Sequence, residues 1–207
     1  MSPRDRDRFI SARGILRSLL GEYLGRPAAA IQFTYETAGK PALRALDHDP
    51  PIRLNVTHSG DMAAYVFARN REVGIDVEAV RSDLSVEEVA ERLFSPYELA
   101  ELQTLPPEQR NEAVFLCWTR KEAYVKARGS ALGIPLDSFH VSLTPGKPER
   151  LVSDDSGRWL LRSFFPGEGY VGAVVVEGQD SVLSLLSWPS FPDDGLFIQP
   201  HASSYLP

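Results

Sequence analysis

QFTYETAGKP at residues 32–41 aligns without a gap on FHVSLTPGKP at residues 139–148. Both decapeptides read as a strand running into the same Gly-Lys-Pro turn. Their surroundings repeat as well. A long helical pattern precedes each copy, and a loop followed by a small, apolar strand comes after it: THSGDMAAYVFAR at 57–69 and FFPGEGYVGAVVVE at 164–177. This order predicts an α+β fold of two similar subdomains, each helix–strand–turn–strand–loop–strand, related by a pseudo-two-fold axis. The predicted boundaries are 1–80 and 81–188, with a Pro-rich, extended tail over 189–207. The copies differ in their loops, where His58 and Ser59 of the first face Phe165 and Pro166 of the second. Function is therefore expected in the first loop, and Lys147 of the second turn reads as decoration.

Periodicity supplies the remaining elements. Apolar residues at helical spacing from Phe9 to Leu24, stopped by Gly25, predict a helix over 5–24. IQFTYET (31–37), IRLNV (52–56), MAAYVFA (62–68) and REVGIDVE (71–78) read as strands, with THSGD (57–61) as a loop. Ser85 and Ser95 each open a capping-box pattern, the second with Pro96 at the first helical position. PPEQRNEAVFLCWTRKEAYVKARG makes a long helix ending at Gly129. SFHVSLT (138–144), RWLLRSFF (158–165), YVGAVVVE (170–177) and VLSLLSW (182–188) are expected to return as strands.

Composition narrows the function classes. With 207 residues, 43% of them apolar and 24% charged, the chain can bury a real core. No apolar run approaches a membrane span, and the first residues lack a secretory h-region. The single cysteine, Cys117, excludes an internal disulfide and a cysteine-rich metal site, so a cytoplasmic protein is expected. The net charge of −6 argues against general nucleic-acid binding. Between Glu72 and Glu112 eleven acids face three arginines, leaving −8 there and +2 elsewhere. Arg4, Arg6, Arg8, Arg13 and Arg17 make the first helix locally basic, as a solvated face or as a seat for an anion. Lysine is scarce, at four residues against eighteen arginines. A retained lysine marks a place where a compact ammonium is wanted rather than a planar fork.

Two of those lysines lie in CWTRKEAYVKARGSAL, residues 117–132. Trp118, Glu122 and Lys126 stand at i, i+4 and i+8 and so share one helix face. Alone, that face is an amphipathic helix carrying a solvated Glu–Lys pair. In VGIDVE, Asp76 and Glu78 alternate with Ile75 and Val77, which puts both carboxylates on one face of a strand. Alone, that is a wet sheet edge. Should Glu122 join them, three carboxylates would offer the hard oxygen donors that suit Mg²⁺.

VGIDVE, then WTRKEAYVKARGSAL, preceded by AGKP and NVTHSG, resembles the 4′-phosphopantetheinyl transferases of the large, two-repeat (Sfp-like) class. The motifs stand in that family's order from about residue 8 to 178. The resemblance implies a pair of α+β halves with the active site in the cleft between them. It implies transfer of 4′-phosphopantetheine from coenzyme A to a serine of an apo acyl, peptidyl or aryl carrier protein, releasing adenosine 3′,5′-bisphosphate. The cofactor it implies is Mg²⁺, held by Asp76, Glu78 and Glu122. Glu122 also matches the general base, acting directly or through a water, and Lys126 matches the cation on the transferred phosphate. Thr57 and His58 match a loop that grips phosphate oxygens, and Lys40 a cation near the nucleotide. Lys121 lies off the stripe and is expected to serve structure, and Trp118 to pack the helix.

The family carries a further segment before its first helix. In this chain Arg4, Arg6, Arg8 and Arg13 take over its contacts, or the chain is truncated. An alternative reading is a carrier- or coenzyme-binding module without catalysis. Leu93, Phe94 and Leu99 form either a docking patch or core, and core is the better expectation. The internal cleft makes a monomer the expected state, with no nucleic-acid or membrane partner.

Overall fold

A computed structural model describes residues 3–35, 40–44, 46, 50–83, 85–129 and 133–188 of the chain. It is a mixed α+β fold. Helix α1 (Pro3–Leu24) buries Leu16, Leu19 and Leu20 and ends where Gly25 takes a φ of 63°. Its amphipathic face closes on Ile31, Leu54 and the partly buried Phe33, Leu43 and Phe67. The expected apolar stripe fades at the start of the helix, where Phe9 and Ile10 are exposed. Strands β1 (Phe33–Tyr35) and β2 (Pro41–Leu43) pair antiparallel.

β3 (Ile52–Ser59) and β4 (Met62–Arg69) form a hairpin in which Ser59 stands opposite Met62. The turn is thus Gly60–Asp61, with Gly60 at a φ of 57°. This corrects the loop expected over 57–61. Thr57, His58 and Ser59 continue the strand. Their polarity suggested a loop, yet Asn55 and Thr57 are buried, and their side chains find partners across the fold in the Ile75 N–H and the Asp76 carboxylate.

β5 (Val73–Ala79) pairs not with β4 but with β9 (Tyr170–Glu177), which also pairs with β8 (Trp159–Phe164). All these pairings are antiparallel, in the order β5-β9-β8. Another short antiparallel pair, β6 (His140–Val141) with β7 (Leu151–Val152), replaces the longer strand expected over 138–144. Residues 182–188 do not form the expected strand. Val182, Leu185 and Leu186 stay exposed and pair with no strand among the described residues. The tail from residue 189 and part of the first turn (36–39) lie outside the described residues.

Helix α2 (Val86–Leu93) is capped by Ser85, whose hydroxyl accepts the Glu88 N–H. Helix α3 (Pro96–Thr104) has the full reciprocal box between Ser95 and Glu98. Such a cap contributes about 1 kcal/mol. Helix α4 (Pro107–Arg128) ends at Gly129, with a φ of 87°. Its face of Ala113, Val114, Cys117, Tyr124 and Ala127 packs with Phe94, Phe139, Trp159 and Val175 in the largest core. Phe94 is buried there and Leu93 and Leu99 pack against it, as expected. A smaller cluster of Val66, Val73, Ile75, Phe164 and Val174 joins the hairpin to the three-stranded sheet.

Candidate active site

Helix α4 lies close against β5, and one residue permits the approach. A Cβ at Gly74 would sit 2.2 Å from the Ala123 carbonyl oxygen and 2.3 Å from the Ala127 amide nitrogen. Beyond this contact, the strand presents Asp76 and Glu78 while the helix presents Glu122 and Lys126. A pocket of about 340 Å³ opens between them, lined by Val56, Thr57, His58, Asp76, Glu78, Trp118, Glu122 and Lys126. Six of the seven predicted site residues therefore border one cavity.

Lys40 is the seventh, and it does not line the pocket. Its ammonium donates to the Lys126 carbonyl at 3.2 Å and the Val73 carbonyl at 3.4 Å. A cation there suits the negative end of α4 and ties it to the start of β5. Another concavity, of about 420 Å³, lies over β7 and β8 beside Glu149, Arg150 and Arg162. None of the predicted site residues borders it.

Within the site pocket, Lys126 Nζ lies 2.6 Å from Asp76 Oδ1, which also accepts from the Thr57 hydroxyl at 3.0 Å. Asp76 Oδ2 is buried and has no hydrogen-bond partner among the described residues. Glu78 Oε2 accepts from the Ser59 hydroxyl at 2.6 Å. Burial pushes Asp76 above the usual carboxylate range, against the opposing pull of Lys126 and Thr57. Glu78 is pushed up by burial while Ser59 pulls it down. Glu122 is raised by burial first, then by the negative charges of Asp76 and Glu78, with Lys126 opposing.

Three carboxylates and one ammonium share the space, an imbalance that favours a cation. The donors are hard oxygens, and the orphaned Asp76 Oδ2 is the kind of atom an ion would satisfy. As the side chains stand, no group of three His, Cys, Asp or Glu among the described residues is close enough to hold a metal. Gathering three of them around one ion requires side-chain rotation.

Trp118 is partly buried, stacks on Phe115 at 6.0 Å, and also walls the pocket. Lys121 serves structure, as expected. Its fully buried ammonium lies 2.7 Å from Glu98 and donates to the carbonyls of Leu136 at 2.6 Å and Phe139 at 2.8 Å. Three donors thus meet three acceptors. The other oxygen of Glu98 takes the Val141 amide, so this pair staples α3, α4 and β6.

Sequence reasoning missed Gly74, the pairing of Glu98 with Lys121 and the role of Ser59. The alternation Asn55–Thr57–Ser59 was a signal, since it puts three polar side chains on one face of an extended strand. Near the amino end, the Arg13 guanidinium lies over the rings of Phe9, Phe33 and Tyr35 at 5.0–5.4 Å, and Arg8 pairs with Asp61 at 2.6 Å.

The sequence pattern of a family described as ACPS, the 4′-phosphopantetheinyl transferase superfamily, matches residues 72–175. The 4′-phosphopantetheinyl transferase HetI of Nostoc sp. is 38% identical over 176 residues, covering 85% of this chain and 73% of that protein. The 4′-phosphopantetheinyl transferase Sfp of Bacillus subtilis is 28% identical over 207 residues, covering 94% and 85% respectively. A solved holo-[acyl-carrier-protein] synthase of Thermotoga maritima, 27% identical, superposes with a TM-score of 0.40 over 51% of this chain and 62% of that one.

Proposed function

The chain belongs to the 4′-phosphopantetheinyl transferase superfamily, and on that premise we propose how its residues divide the work. It is an enzyme that transfers phosphopantetheine from coenzyme A to a carrier protein. The non-catalytic binding module therefore falls away. We take the acceptor to be a serine of an apo carrier protein of acyl, peptidyl or aryl type, and the released product to be adenosine 3′,5′-bisphosphate.

The observation that carries the division of roles is the shared pocket of Asp76, Glu78, Glu122 and Lys126, with one Asp76 oxygen buried and unpartnered among the described residues. Asp76, Glu78 and Glu122 would hold Mg²⁺. When bound, the ion would neutralise charge on the diphosphate of coenzyme A. Glu122 takes the proton of the serine hydroxyl, through a water, as the serine oxygen bonds to phosphorus and the diphosphate P–O bond breaks. Burial raises the Glu122 carboxyl, which brings its basicity closer to working pH. Lys126, with 27% of its side chain exposed, has the stem to hold the phosphate as charge moves to the departing bisphosphate. Thr57 and His58 grip phosphate oxygens from the pocket wall, and Lys40 is the cation on the nucleotide side.

We further read residues 1–80 and 81–188 as two halves about a pseudo-two-fold axis, with 189–207 as a tail. In support, a long helix, a short antiparallel pair and a longer hairpin follow one another twice along the chain. β4 and β9 also fall at the spacing of the sequence repeat. A single chain then supplies both sides of the cleft, and the protein acts as a monomer. No helix among the described residues is long and apolar enough to cross a membrane. We place the reaction in the cytoplasm.

The test is incubation with coenzyme A, Mg²⁺ and an apo carrier protein, followed by mass spectrometry. The carrier should gain roughly 340 Da, the mass of the transferred group. Glu122→Gln and Asp76→Ala should each abolish that gain while remaining folded. Full transfer by either variant would overturn this division of roles.

A further inference from the structure

β3 and β5 belong to different sheets, yet three alternate residues of β3 send side chains to β5. Asn55 Oδ1 accepts the Ile75 N–H at 3.1 Å. Thr57 Oγ donates to Asp76 Oδ1 at 3.0 Å, and Ser59 Oγ donates to Glu78 Oε2 at 2.6 Å. A period of two on one strand meets a period of two on the other, so paired hydroxyls meet paired carboxylates.

Ser59 is the most committed of the three. Its oxygen also accepts the Ala79 N–H at 3.1 Å. That incoming donor occupies one lone pair and orients the hydroxyl, whose single proton goes to Glu78. A backbone amide polarising a hydroxyl that donates to a carboxylate makes a short, charge-assisted bond, as the 2.6 Å separation shows. The second repeat has Pro166 where the first has Ser59. Across the ladder from β5, Asp76 and Glu78 stand opposite Ala173 and Val171, so β9 adds no carboxylate to the pair.

We propose that Ser59 is a positioning residue: it pins one oxygen of Glu78 so that the other is presented to a divalent cation in the pocket. This rests on the assignment of Asp76, Glu78 and Glu122 as metal ligands. Without the hydroxyl, Glu78 spreads over several rotamers and must be reordered each time an ion binds. Outer partners that orient a metal-binding carboxylate typically contribute a factor of about 10–100 to metal affinity.

The experiment is a Mn²⁺ titration of the full chain followed by electron paramagnetic resonance. Wild type, Ser59→Ala and Ser59→Thr are compared at a temperature where circular dichroism shows each of them folded. Ser59→Ala should bind Mn²⁺ about 10–100-fold more weakly. Ser59→Thr, which keeps the hydroxyl, should recover most of that loss. A merely structural serine would leave the affinity of the folded protein unchanged. Wild-type binding matched by Ser59→Ala overturns this proposal alone, as does an equal loss in both variants. A wild type that binds no Mn²⁺ overturns the metal assignment and this proposal together.

Discussion

Substituting Gly74 by alanine tests the geometry on which the site depends. The new methyl would lie 2.2 Å from the Ala123 carbonyl oxygen, 2.3 Å from the Ala127 nitrogen and 2.9 Å from the Lys126 carbonyl carbon. Ordinary contact begins at 3.4 Å, so strand and helix must part by about 1.2 Å (3.4 minus 2.2). All three atoms are helix backbone, and no rotamer change relieves the clash. Overpacking usually costs about 1–3 kcal/mol, and a contact rigid on both sides belongs at the upper end. Against a total stability of roughly 5–15 kcal/mol, a loss of about 3 leaves the protein folded but weakened. For a chain of this size, that corresponds to a fall in Tm of roughly 6–12 °C. The same displacement separates Lys126 Nζ from Asp76 Oδ1, now 2.6 Å apart, beyond hydrogen-bond reach. Urea denaturation gives the stability change, and carrier modification at a temperature where the variant is folded gives kcat/KM. A Gly74→Ala protein with wild-type midpoint and wild-type activity would show that this close approach does not set the site.

The buried pair of Lys121 and Glu98 predicts a different pattern. Lys121→Met or Glu98→Gln alone should cost about 3–5 kcal/mol, because each strands a buried partner, whereas the double substitution should cost much less than their sum. A denaturant double-mutant cycle measures this, and strict additivity would refute it. Glu122→Gln should stabilise the protein while abolishing transfer. The folded state holds the Glu122 proton more tightly than the unfolded chain does, so its contribution to stability is greatest at low pH and is lost as pH rises through the raised pKa. Melting temperatures across that range should therefore fall less steeply for Glu122→Gln than for wild type, and parallel curves would contradict the burial argument. Stripping divalent ions with a chelator should abolish transfer, and Mg²⁺ should restore it, as followed by carrier mass.

Local pattern carried much of this protein. Serine caps three residues before a glutamate, glycine after a helical run and alternation in VGIDVE are read from neighbours in sequence, and the structure keeps all of them. The face shared by Glu122 and Lys126 was legible for the same reason, since 3.6 residues per turn fixes which side chains align. Reading polarity as loop failed at Thr57, His58 and Ser59, because the partners that satisfy the two hydroxyls lie about twenty residues away in another sheet. The strand expected over 182–188 failed for a related reason: an apolar run becomes a strand only where it pairs, and Val182, Leu185 and Leu186 stay exposed with no partner strand among the described residues.

What the sequence determined alone was the inventory: the repeat, most of the elements, and which acids and lysines share a face. Tertiary structure decided the pairings. It sent Lys121 to a buried Glu98, Lys126 to Asp76 and Lys40 to the end of α4, three lysines that sequence distinguishes only by position. It also chose β9 as the partner of β5 and let Gly74 bring strand and helix together. Pattern along a chain reports only which way a side chain points, whereas what it meets depends on segments brought near by packing, and that is a property of the whole fold.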